Sequence, residues 1–278
     1  MNRAVLAGRP RVIGGWRKSA LPPRRLLDEP PTSAIRSHSD LRGRMPPVMD
    51  QGSTGDCTAH AALEVREHLI LRAAIATDDA SKLAALAAHG ARFSRLYQYA
   101  RTRQREGTPL ADDSGASVAD AFAVLEDAGA CPAATWSDDD AETRFALDPG
   151  GAADIEAHRH RVVLGFALPS LRALRASLSE GFPVGFGFAV PANMMSEACA
   201  ATGIVKPPAE GEEMQGGHAV TACGHDDAMV IDGVKGAILA MNHWSVSWGQ
   251  AGFFWLPYGF FDGGLAEDAH TARRSEDI

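Results

Sequence analysis

Hydrophobic positions along the chain follow two different rhythms. From Thr58 to about Ala76, Leu63, Leu69, Ile70 and Ala73 recur at helical spacing, and Ala61, Ala62 and Val65 widen the stripe. That pattern predicts a central helix apolar around most of its circumference, with Asp56 at its N-cap. A second helix is expected over 94–107, capped by Ser94 and stopped by Gly107, and a third from Ser117 to Gly129. "DDASKLAALAAHGA", between the first two, looks like an Ala-rich helical insertion. After an acidic, irregular stretch, "PSLRALRASLSEG" predicts a short fourth helix from Ser170 to Gly181. Beyond it the rhythm shortens. "PVGFGFAV", "HAVTACGH", "GAILAMNHW" and "AGFFWLPY" are brief β-branched and aromatic runs parted by Gly, Pro and Asp, and they read as strands. The fold class is therefore α+β in two lobes, helical over about 50–165 and β-rich over about 166–262. No internal repeat is visible, and residues 263–278 read as a polar, frayed tail.

Composition narrows the picture further. A chain of 278 residues with 45% apolar and 22% charged positions is an ordinary globular protein with a sizeable core. No apolar stretch approaches the ~18 residues of a membrane span, and the N-terminal segment lacks an apolar signal core, so no membrane role is expected. Cysteines at 57, 131, 199 and 223 have neither CxxC nor His–Cys ligand spacing. They suggest no zinc site and no disulfide framework, although four thiols could form two bridges. A reducing, cytoplasmic compartment is expected, with signal-independent export left open. Charge is divided unevenly: residues 1–44 carry ten basic against three acidic side chains, +7, and the remainder is −15. The Pro- and Gly-rich arm 1–44 is thus either a solvated tail or a segment that docks on the acidic body. An acidic body makes nucleic acid a poor partner, and no Gly-rich phosphate loop follows a strand.

Four residues carry candidate chemistry. Cys57 sits where a loop of small residues becomes a helix, and amides at a helix N-terminus favour the thiolate that acyl transfer needs. His218 opens the strand "HAVTACG" behind two glycines, Gly216 and Gly217, and is the best proton partner for that thiol. Asn242, followed by Trp244 and Trp248, could hold the imidazole's tautomer while tryptophan keeps water away. Gln51 could donate an amide hydrogen to an oxyanion.

Taken together, "PPVMDQGSTGDCTAHAA", "GGHAVTACGHDD" and "NHWSVSWGQAGFFWLP" resemble, in order, the nucleophile, histidine and asparagine segments of papain-like (C1-type) cysteine peptidases. "FSRLYQYARTRQREG" with "DDSGASVADAFAVLEDAGACP" is similar to the bacterial branch, and the resemblance spans about 40–261. It implies a catalytic domain over 45–262 in which a cleft between the two lobes binds a peptide or protein substrate. Cys57 would be the nucleophile, His218 its proton partner, Asn242 the orienting residue and Gln51 the oxyanion donor. Gly115 and Gly217 would meet substrate, and Trp244 would cover the His218–Asn242 contact. No metal or organic cofactor is implied.

Several positions depart from the family pattern. Thr54 stands in place of a disulfide cysteine, and Thr58 in place of an aromatic residue. Asp56 replaces a serine, and its charge opposes a thiolate at Cys57. His243 and Ser245 replace Ser and Gly around Trp244. An outward-facing His243 is the favoured expectation, against one that competes for hydrogen bonds. Three activities stay open: hydrolysis of peptide bonds through a Cys57 acyl-enzyme, transfer of the same acyl group to an amine, and an impaired fold retained for binding. A regulatory arm would act as a short plug.

Overall fold

A computed structural model describes residues 2–6, 9–20, 22–28, 34–81, 84, 92–161 and 164–274. Helix α1, Cys57–Ala76, runs through the middle of the helical half, with every residue from Cys57 to Val65 buried. Asp56 occupies its N-cap position but makes no capping bond. Its carboxylate turns inward instead, 3.6 Å from His60 Nε2 one turn later. Helix α2, Arg95–Arg105, starts where Ser94 Oγ accepts from the Tyr97 amide, and α3, Val118–Asp127, where Ser117 Oγ accepts from Asp120. These side-chain caps satisfy amides that a helix start leaves unpaired. Glu67 of α1 pins α2 through a buried two-bond pair with Arg95, at 2.5 and 2.8 Å. Two further helices are Gly150–His158 (α4) and Leu171–Ser179 (α5), the latter capped by Ser170. Most of the Ala-rich insertion lies outside the described residues.

The second half is a seven-stranded antiparallel sheet. Two strands of the arm, β1 (Asn2–Leu6) and β2 (Arg9–Ile13), pair with each other, while β3 (His38–Asp40) joins the large sheet. The main order is β4 (Leu164–Ala167), β9 (Ala266–Arg273), β5 (Val184–Pro191), β6 (Met214–Ile231), β7 (Val234–Met241) and β8 (Phe253–Pro257). Its apolar side chains form the larger core around Phe186, Phe188, Ile238, Leu239 and Phe254. A second core joins α1 and α3 to the sheet through Cys57, Leu63, Phe122 and Ala219. The end of α1 that carries Cys57 is thereby packed against the strand that carries His218.

Residues 266–273, expected as part of a polar tail, are instead the strand between β4 and β5. Its polar residues are paired within the fold. Arg273 is buried, donating to Thr271 Oγ1 at 2.8 Å and Ser177 Oγ at 3.0 Å, and Thr271 donates to the Pro183 carbonyl at 2.8 Å. Among the described residues no helix is long and apolar enough to cross a membrane.

Candidate active site

Cys57 is the first residue of α1 and is fully buried. Burial is the main force raising its thiol pKa to about 12, with the charges of Asp56 and Asp113 adding to it. Backbone amides of Ala219 and Thr58 act the other way, and the first of these follows His218 directly on β6. In this enclosed state the sulfur is a protonated thiol at neutral pH.

His218, on β6, points Nε2 at Asn242 Oδ1, 3.0 Å away. An amide oxygen only accepts, so the imidazole carries its hydrogen on Nε2. Asn242 follows the last residue of β7, and its position is fixed by the Gly252 carbonyl, which accepts the Asn242 amide at 2.9 Å. Its Oδ1 also accepts the His243 amide at 2.9 Å. Trp244 stacks on His218 with ring centres 4.8 Å apart, while Phe188 meets the imidazole edge-on. The His218–Asn242 contact therefore lies in a dry aromatic enclosure, where hydrogen bonds are stronger than in water.

Gln51 is buried, and its Nε2 donates to the Thr54 carbonyl at 2.9 Å. Its Oε1 accepts from His243 Nδ1. His243 thus faces inward, contrary to the outward placement expected from sequence. Its Nε2 approaches the Ala219 carbonyl at 3.0 Å, and its ring packs against His60 and His218, with centres 4.6 and 4.9 Å apart. Burial, reinforced by His60 and His218, pushes its pKa well below the ordinary histidine value. The inward turn has a physical reason. The Asn242–Trp244 segment crosses directly beneath Gln51, whose amide takes the His243 carbonyl at 2.9 Å, so no open surface lies on that side.

Gly115 and Gly217 flank a groove that residues 14–17 of the arm occupy. Gly14 N–H donates to the Gly217 carbonyl at 2.8 Å, Ala116 N–H to Gly15 at 2.9 Å, and Arg17 N–H to Ala116 at 2.9 Å. The approach is close enough to require glycine: a Cβ on Gly115 would lie 2.4 Å from the Gly15 oxygen, and Gly115 has φ +69°. Gly15 in turn passes over Cys57, where a Cβ would lie 2.8 Å from the Sγ. The following Trp16 enters the site as well, beside Gly187 and Gly217. Sequence reading did not single out Gly15 and Trp16. Their signal was "GGW", two glycines and an aromatic in an otherwise basic arm. Outside the groove, Arg17–Glu106 at 2.5 Å, Lys18–Glu267, Arg24–Asp127 at 2.5 Å and Arg25–Glu126 at 2.8 Å join arm to body. Among the described residues no group of His, Cys, Asp and Glu is arranged to hold a metal, and all four cysteines are free and buried.

No family model matches the chain. Its sequence is 29% identical over 233 residues to a peptidase C1-like protein, L477, of Acanthamoeba polyphaga mimivirus, covering 79% of this chain and 67% of that one. Its fold is similar to that of xylellain, a cysteine protease from Xylella fastidiosa, with TM-score 0.78, 25% identity, and coverage of 98% and 99% of the two chains. It is also similar in fold to the cysteine protease Amb a 11 in its proform, a ragweed pollen allergen, with TM-score 0.62 and 20% identity over 87% of this chain and 67% of that one. Sequence and fold agree in these likenesses: the chain is a cysteine-type peptidase with a papain-like fold.

Proposed function

We propose that the chain hydrolyses peptide bonds through an acyl-enzyme on Cys57. The observation that carries this reading is the meeting of Cys57, at the start of α1, with the β6 strand on which His218 is held by Asn242 at 3.0 Å. His218 Nδ1 takes the thiol proton as sulfur attacks the peptide carbonyl. The Cys57 amide and the second Nε2 hydrogen of Gln51 stabilise the oxyanion, and the imidazolium gives its proton to the departing amine. Water then attacks the thioester with His218 as base, releasing the acid and the free thiol. Asn242 keeps the imidazole in the tautomer that presents Nδ1 to sulfur.

The arm supplies the plug in this reading. Residues 14–17 pair with the glycines that would hold substrate, and Gly15 covers Cys57. A proform among the similar folds supports the same view. With the groove filled the thiol is dry and protonated; when the arm leaves, hydration and a protonatable His218 favour the thiolate–imidazolium pair. The exposed ion pairs hold the arm only loosely, since each such pair contributes about 0–1 kcal/mol.

The test is hydrolysis of a quenched fluorescent peptide by the full chain and by Trp16→Ala, which removes the arm's apolar anchor. The variant is expected to be the faster, and Cys57→Ala in the same background to abolish turnover. Equal rates with and without Trp16 would contradict the plug, and turnover that survives Cys57→Ala would contradict the acyl-enzyme.

A further inference from the structure

In the proposed reaction two segments must keep a set distance. One is the loop that ends in Cys57. The other is 114–116, whose backbone pairs with Gly15 and Arg17 of the arm. Thr54 stands in place of a disulfide cysteine and all four cysteines are free, so no covalent tie joins the two segments. Asp113 supplies a tie of another kind. Both its carboxylate oxygens accept the Gly55 N–H, at 3.0 and 3.1 Å, two residues ahead of Cys57. Its Oδ1 also accepts the Tyr99 hydroxyl at 2.7 Å, and that hydroxyl accepts the Gly115 amide at 2.9 Å. Gly55, Asp113, Tyr99 and Gly115 thus form one continuous chain of hydrogen bonds from the first segment to the second.

The chain is supported from behind. Tyr99 is buried on α2, and the Arg103 guanidinium lies over its ring, 3.9 Å from the centre. Arg103 also donates to the Leu110 and Asp112 carbonyls, both at 2.7 Å, which fastens the loop that delivers Asp113 to α2. A carboxylate at this place works against a thiolate, since its charge is one of those that raise the Cys57 thiol. Its benefit is geometric: it joins two backbone segments that nothing else holds in register with such short bonds.

We infer that Asp113 is a positioning residue, which with Tyr99 holds Cys57 at a set distance from the segment that carries the substrate backbone. This rests on the reading of Cys57 as the nucleophile and of the groove as the substrate cleft. A misplacement of about 1 Å in a reacting pair costs on the order of a hundredfold in rate. Asp113 therefore favours turnover by alignment while its charge opposes the reactivity of the thiol itself. A residue that merely stabilised the fold would not show these two opposite effects.

The test uses the full chain carrying Trp16→Ala, which opens the groove, with Asp113→Ala, Tyr99→Phe or both added. Two rates are read: steady-state hydrolysis of a quenched fluorescent peptide, and alkylation of Cys57 by iodoacetamide, which needs no alignment with 114–116. Each single change is expected to lower kcat at least about tenfold with a smaller change in KM. The double variant should be no slower than Asp113→Ala alone, because both changes cut the same chain. Alkylation should run the other way, faster in Asp113→Ala, where the charge is gone, and unchanged in Tyr99→Phe, where it stays. Tyr99→Phe, the milder change, decides the matter should Asp113→Ala fail to fold. An unchanged kcat in Tyr99→Phe, or alkylation slowed in step with kcat, would overturn the inference.

A Trp16→Ala parent without turnover would count against the peptidase reading, and the tie is then judged by amide hydrogen exchange. Tyr99→Phe should speed exchange at Gly55 and Gly115 together. Acceleration at Gly115 alone would overturn the link through Asp113.

Discussion

At the residue scale the chain's own signature is His243. Two oxygens, Gln51 Oε1 and the Ala219 carbonyl, face its two ring nitrogens, yet burial beside His60 and His218 keeps the ring neutral with a single hydrogen. Carried on Nδ1, that hydrogen fixes Gln51 Oε1 and so turns Nε2 toward Thr54 and, in the proposed mechanism, toward the oxyanion. His243 is a positioning residue in this scheme. Replacing Gln51 by Ala is expected to lower kcat about a hundredfold, the usual cost of an oxyanion donor. His243→Ser, which loosens the amide without removing it, should lower kcat about tenfold with little change in KM. Steady-state kinetics in the Trp16→Ala background would show it, and an effect confined to KM would contradict the role. Cys57, His218, Asn242, Gln51, Gly115, Gly217 and Trp244 were all legible as candidates, because each lies in a short segment whose neighbours constrain its use. His243 was singled out with the wrong orientation favoured, and Asp113 not at all. Each is polar in a stretch with no periodicity, and only the tertiary packing says which way it faces.

At the scale of elements, α1 carries both Cys57 and the heaviest load of buried polar groups among the described helices. His68 lies between two carbonyls, Arg44 at 2.8 Å and Gly181 at 3.1 Å, and burial pulls its pKa down to about 4. The folded chain therefore holds it neutral while the unfolded chain protonates it near 6.5. Its contribution is fully present above pH 6.5 and is lost as pH falls toward 4, on the order of 3 kcal/mol by linkage. His68→Gln should flatten the decline of urea stability between those two values; an unchanged slope would assign the acid limb elsewhere. Glu64, which accepts the Thr221 hydroxyl at 2.6 Å, runs the opposite way. Burial lifts its pKa to about 7, so its favourable contribution is present below about pH 4.5 and is lost as pH rises through 7. The helices were readable because serine caps and glycine stops punctuate them, as at Ser94, Ser117 and Ser170. Strand β9 was not, because it earns its place by pairing with β4 and β5 rather than by its own alternation. Asp56 shows a similar limit: its position at the helix start was legible, but its turn toward His60 depends on what lies beneath it.

At the scale of the whole molecule, an acidic two-lobed body and a basic arm meet across the groove between helical and β-rich halves. Charge composition left two fates open for the arm. The hydrogen bonds of Gly14, Gly15 and Arg17, with Trp16 between its glycine walls, support the plug. What composition could not supply was the path, since that depends on close approaches allowed by glycines far apart in sequence, Gly115, Gly187 and Gly217. In the proposed mechanism one thiol of four is activated, by His218, once this segment is displaced. An epoxysuccinyl-peptide probe at neutral pH, applied to the full chain and to Trp16→Ala with the adduct located by mass spectrometry, reads that activation. Labelling is expected to be confined to Cys57, slow in the full chain, faster in the variant and lost with His218→Ala. Labelling of Cys57 no faster than of Cys131, Cys199 and Cys223 in the folded Trp16→Ala protein would contradict it.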